Sequence, residues 1–230
     1  MVHPARRTSL QLVFLSLLTI FAPLVSGRNP QDSNLSITDQ FLVLVPVRDV
    51  AEIQRDFDAA EQFRLAAVEA QDTATKQRSD GAKRVEQIKS DIASNKERRA
   101  GARVEKNAAA AVALEREGEN LERQRNLLNQ RQELRDAEIN LAKMRVELAT
   151  LTKQQFDLER QLAMKRMEWS DSSGDRDSKM AQSILSLERD TLNAQKKVAD
   201  KQGQVADGSK NVVNRQLKTL EAQRKLNEGD

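Results

Sequence analysis

Between positions 120 and 169 apolar residues return at every seventh place. Leu127, Leu134, Leu141 and Leu148 are followed, after a polar Gln155, by Leu162 and Trp169. A companion series three residues on holds Ala137, Met144, Leu151 and Leu158, between Gln130 and Lys165. Alternating steps of three and four place both series on one narrow stripe of an α-helix, and such a stripe has to be covered by another helix. After the stretch SDSSGDRDS at 170–178, which reads as a loop, the period resumes. Leu185, Leu192, Ala199, Ala206, Val213 and Leu220 recur at seven, flanked by Ile184, Thr191, Val198, Val205, Val212 and Thr219. This double strip predicts a second helix capped by Asp177 or Ser178, with Arg224 and Lys225 in its last turn and Gly229 beyond. The two stretches are equal in length, so a reversal at Gly174 would lay one along the other. The expected fold class is therefore all-α: an elongated coiled coil in which a long helix is followed by an antiparallel return helix, a helical hairpin. Its helix–helix interface is expected at Leu127, Leu134, Leu141, Leu148, Leu151, Leu158, Leu162, Leu185, Leu192, Val213 and Leu220.

The stripe is thinner before position 118. Ile53, Ala60, Ala67, Ala74, Gly81, Ile88, Asn95 and Ala102 lie seven apart, with Val50, Phe57, Val85 and Ile92 as companions. Small residues let helices approach closely but bury little area, so this half depends on a partner helix. Asp49 with Glu52 fits a helix-capping pair. Ser79-Asp80-Gly81, Ala100-Gly101 and Gly118 are candidate breaks, but a single Gly costs only ~1 kcal/mol in a helix. All four prolines fall at or before Pro46. The run of alanines at 108–111 favours continuation, and one continuous or gently kinked helix is expected from about 49 to 169. Near Gly118 the stripe slips by one position, from Leu114, Leu121 and Leu128 to the Leu127 series, which marks a change in supercoil.

Residues 1–27 resemble a secretory signal peptide. Arg6 and Arg7 precede a mostly apolar run, Pro23 breaks it, and Val25-Ser26-Gly27 offers small residues for cleavage. The run is too short and too interrupted for a bilayer span. Residues 28–48 form a flexible lead-in that contains the apolar block 41–45. That block is either a short strand or a segment docked on the first helix turns. The organisation expected is thus a leader at 1–27, a lead-in at 28–48, an Ala-rich first half of the long helix at 49–118, and the paired helices at 119–230.

Composition narrows the chemistry. Aromatic residues make up only 3% of the chain and Cys and Tyr are absent, while 32% of residues are charged. The net charge is +3. Taking Arg6 and Arg7 from the 38 basic residues leaves 36 against 35 acidic, or +1, which gives no case for nucleic acid or an anionic membrane. The one histidine is His3, inside the leader, so a mature chain lacks the His and Cys of familiar nucleophile–base pairs and zinc sites. Glu133, Glu138 and Glu147 stand among Arg131, Arg135, Lys143 and Arg145 and read as surface ion pairs. Asp171, Ser173, Asp175 and Asp177 alternate as in a calcium loop, but Arg176 and Gln182 occupy the places that need Gly and Glu. Asn34-Leu35-Ser36 is a glycosylation acceptor only in a eukaryotic source.

These features point to a non-enzymatic, secreted or periplasmic structural or scaffolding protein. No cofactor or metal is expected, nor a membrane span after cleavage. Its expected partners are proteins, or its own copies in a homo-oligomer. The outline of a signal peptide, an apolar strand at 41–45 and a long helical hairpin is also similar to the Skp/OmpH family of periplasmic chaperones. The likeness carries no specific motif, and the closing strand of that family has no counterpart in Glu228-Gly229-Asp230. It implies holding of unfolded clients as the alternative function.

Overall fold

The first helix starts where a side chain can satisfy its free amides. Asp49 sits in extended backbone, and its Oδ1 accepts from the Ala51 amide at 2.9 Å, as the sequence predicts. A computed structural model describes residues 44–171 and 178–228 of the chain. All of it from Leu44 onward belongs to one unit, Leu42–Asp230, containing α1 (Val50–Val104), α2 (Ala108–Asp171) and α3 (Ser178–Asn227). The fold is all-helical, with no strand among the described residues. The leader, Asn34, positions 41–43 of the apolar block, residues 172–177 of the loop (with the candidate cap Asp177) and Gly229 lie outside the described residues.

The continuous helix expected over 49–169 is interrupted at 105–107. Lys106 adopts a left-handed conformation, with φ of 57°. Its amide donates to the Arg103 carbonyl at 3.1 Å and the Asn107 amide to the Ala102 carbonyl at 2.9 Å, the paired bonds of a Schellman stop. Asn107 then caps α2, its Oδ1 accepting from the Ala110 amide at 3.0 Å. One residue closes the first helix and opens the second, so the reversal needs neither Gly nor Pro. Lys106 bears the steric penalty that a Cβ meets in this region. Lys106→Gly is expected to stabilise the chain by about 1 kcal/mol in urea unfolding, and Asn107→Ala to destabilise it by a similar amount.

Both remaining helices pack on α2 and not on each other. From one end of α1 to the other, Glu61 meets Lys153, Arg78 meets Asp136, and Arg98 meets Glu117. Contacts that advance along α1 therefore retreat along α2. The same holds for α3, where Glu188 meets Arg166, Lys201 meets Glu147 and Arg215 meets Glu133. The apolar lead-in also docks. Val45 is almost fully buried, and its carbonyl accepts from Arg166 at 3.1 Å. Of the block 41–45, only Leu44 and Val45 are described; neither is in a strand, and the Val45 carbonyl bonds to Arg166 of α2 and not to the first turns of α1.

Candidate helix-packing interface

α2 carries two stripes. On the side of α3, Leu134, Ala137 and Leu141 pack with Val212 into one buried cluster, joined by Met144 and Val205. At Gly208 a Cβ would run into Met144 Cε and come within 3.3 Å of Leu141 Cδ1, so the absent side chain sets how closely α3 approaches. On the side of α1 most buried positions are small, with Ile53 and Ile92 larger. Ile53, Ala60, Ala67, Ala74, Asn95 and Ala102 are all buried on α1, as are Leu114, Ala142, Ala149 and Ala163 on α2. The ion pairs fix a register that brings Ala67 within two residues of Ala149 and Ala74 within two residues of Ala142. The Leu114 series continues through Ala142, Ala149 and Ala163 at multiples of seven, beside the Leu127 series and not in place of it. What reads as a slip near Gly118 is two adjacent stripes, one for each neighbour.

The eleven interface residues expected from sequence divide unevenly. Leu127, Leu134, Leu141 and Leu162 are buried, and Leu148, Leu151, Leu158 and Leu192 are half-buried. Leu185, Val213 and Leu220 are 46%, 52% and 64% exposed. The strip that faces α2 is the flanking one, with Ile184, Thr191, Val198 and Val212 buried. The two strips differ by one residue, or about 100° on a helix, so hydrophobicity alone favours the wrong one. The polar members of the true strip are satisfied locally. Thr191 Oγ1 donates to the Leu187 carbonyl at 2.8 Å and Thr219 Oγ1 to that of Arg215 at 2.9 Å.

Charged groups that look like surface residues in the sequence lie inside the upper end of this interface. Arg166 and Glu188 are both buried and meet at 2.5 Å, and the other carboxylate oxygen of Glu188 has no hydrogen-bond partner. Seven residues earlier on α2, buried Glu159 accepts from Arg48 at 3.1 Å, Gln155 at 2.9 Å and Gln195 at 3.1 Å. It thus links the segment before α1, α2 and α3. Arg48 also pairs with Asp56, lies 3.4 Å from Glu52, and sits over the Phe156 ring at 5.9 Å. Burial works against its charge, but Asp56, Glu159 and Glu52 outweigh that and hold its pKa above the ordinary arginine value.

Glu61 joins α1 to α2 in the same region. Hydrogen bonds from Arg64 and then Lys153 lower its pKa from 4.5 to about 2. A carboxyl depressed in the folded state adds stability above its unfolded pKa and loses it as pH falls through the folded one. The Glu61 contribution is expected to fade from about pH 4.5 to about pH 2. Lys153→Met should raise the Glu61 midpoint in a carboxylate NMR titration; an unmoved midpoint would remove Lys153 from the cause.

Two open grooves flank α2. One of about 440 Å³ is lined by Phe57, Arg64, Thr150, Lys153, Gln154 and Asp157, and one of about 350 Å³ by Leu151, Leu158, Asp190, Ala194 and Lys197 among others. Among the described residues no group of His, Cys, Asp or Glu is placed to hold a metal ion, and no helix is long and apolar enough to cross a membrane. No family model, curated protein or solved structure matches the chain. The interface itself is the substance of the candidate site.

Proposed function

We propose that this chain is an exported structural or scaffolding protein that works through helix–helix association. In this reading α2 and α3 form an antiparallel coiled-coil hairpin, and α1 lies along the second stripe of α2. The observation that carries it is the use of two separate heptad stripes on α2 by two neighbours, which sets buried apolar residues along the length of α1, α2 and α3. Small residues in the α1 seam let backbones come close, while Leu134, Leu141 and Val212 fill the seam with α3. The leader would direct the chain to the periplasm or outside the cell, where it would space or join other proteins.

Two measurements test this reading. The exported chain should have lost residues 1–27, visible as the mass of the mature protein. At stoichiometric amounts it should leave the aggregation of an unfolded outer-membrane protein unchanged in light scattering. Strong suppression would transfer the function to the chaperone class that the outline resembles.

A further inference from the structure

The heptad strip of α3 that does not face α2 requires an explanation of its own. Leu185, Leu192, Ala199, Ala206, Val213 and Leu220 keep the seven-residue period over 36 positions, and Leu217 adds to its distal end. Leu185, Val213, Leu217 and Leu220 are each about half exposed or more. An amphipathic helix with one covered face has no need of a second strip of the same period. We propose that this strip binds a second copy of the chain, α3 against α3 in opposite directions, to form a two-fold dimer. This rests on the reading of the protein as one that acts by helix association, and it names the surface and the partner.

The charges select the orientation. Arg189, Lys196, Lys210 and Arg224 lie at the companion positions of the strip, four residues after Leu185, Leu192, Ala206 and Leu220. In a parallel pair each would face its own copy, giving four like-charge crossings among the six companion positions. With the helices opposed about a point beside Gly203, Leu185 comes level with Leu220, Leu192 with Val213, and Ala199 with Ala206. Arg189 then falls opposite Leu217, and Arg224 opposite Gln182. Lys197 comes within one residue of the other copy's Asp207, and Asp190 within a turn of its Lys218. The like-charge crossing left, Lys196 with Lys210, occurs twice by symmetry and is flanked by Asp200 and Asp207, and Asp207 already pairs with Lys210 at 3.1 Å within the chain. At the centre Gly203 has open space where a Cβ would stand, so the smallest residues coincide with the axis.

The area suits a weak dimer. A strip of 36 residues is roughly 53 Å long at 1.5 Å per residue. Taken as about 10 Å wide, it offers on the order of 500 Å² per copy, near the lower limit for a specific interface. A dissociation constant on the order of micromolar is expected.

The chain has no cysteine, which makes the test direct. Sedimentation equilibrium of the exported chain should show a monomer–dimer equilibrium, and Val213→Lys with Leu217→Lys, which sets a cation against the other copy's Arg189, should weaken it at least tenfold while helix content by circular dichroism stays unchanged. Under mild oxidation Gly203→Cys should crosslink to its own copy, and Leu185→Cys should not do so alone but should pair with Leu220→Cys in a mixture. A dimer indifferent to the double substitution, or self-crosslinking of Leu185→Cys, would overturn the proposal while leaving helix-mediated association in place. A strictly monomeric chain at tens of micromolar would overturn it as well. If that monomer also failed to hold α1 and α3 on α2, the broader reading would fall with it.

Discussion

Arg166→Leu is expected to destabilise the chain by about 3–5 kcal/mol, more than any surface ion-pair substitution. Removing the guanidinium leaves the Glu188 carboxylate buried with no cation, when one of its oxygens already lacks a hydrogen-bond partner. It also strips the Val45 carbonyl of the donor that docks the lead-in. The instructive variant is the double one. Arg166→Leu with Glu188→Leu removes both charges and fills the space with apolar side chains, and buried pairs replaced this way are often neutral or more stable. Urea unfolding at neutral pH should therefore show a large loss for the single variant and recovery of most of it in the double. The lost Val45 contact would account for any shortfall. Equal losses in both variants would mean that the pair stabilises the fold in its own right.

A second contrast separates two adjacent residues. Ile184→Ala should cost about 2–5 kcal/mol, because it empties a nearly fully buried site between α3 and α2. Leu185→Ala should change stability by less than about 0.5 kcal/mol in dilute, monomeric protein, because Leu185 is 46% exposed. Both substitutions remove three or fewer methyl or methylene groups from the same turn of the same helix. Only the direction of the side chain differs, so urea midpoints for the two read out the rotation of α3. The opposite ranking would restore the orientation that Leu185, Val213 and Leu220 suggest in the sequence.

Much of this fold is legible in the heptad period, and what is not has physical causes. The α1 series from Ile53 to Ala102 is visible in the sequence, and so are both stripes of α2. Their meaning is not, because two stripes one residue apart resemble a single stripe with a register slip. The reversal at 105–107 escapes notice because Lys106 takes a conformation that ordinarily calls for Gly. Asn107 before four small helix-forming residues was the available signal, since it is a good N-cap. The polar interior is the least legible part. Arg166, Glu188 and Glu159 have no oppositely charged residue three or four places away on their own helices, so no local pairing marks them, and only the opposing helices show that they are enclosed. On α3 the threonines of the true strip satisfy their hydroxyls on their own helix, which makes a polar-looking face the buried one.

The most direct test of α2 as the shared helix is a pair of electron spin–spin distances. Gln154 borders both grooves, so one label there serves both neighbours, with the second at Gln62 on α1 or at Asn193 on α3. Dilution with unlabelled chain keeps the distances within one copy. Helix axes in contact lie 8–10 Å apart, and both pairs should show narrow populations at roughly 10–30 Å once label arms are included. If α1 instead continued straight into α2, Gln62 and Gln154 would stand roughly 140 Å apart at 1.5 Å per residue, and no short distance would be seen. The absence of a short population in either pair would contradict a central helix packed on both sides.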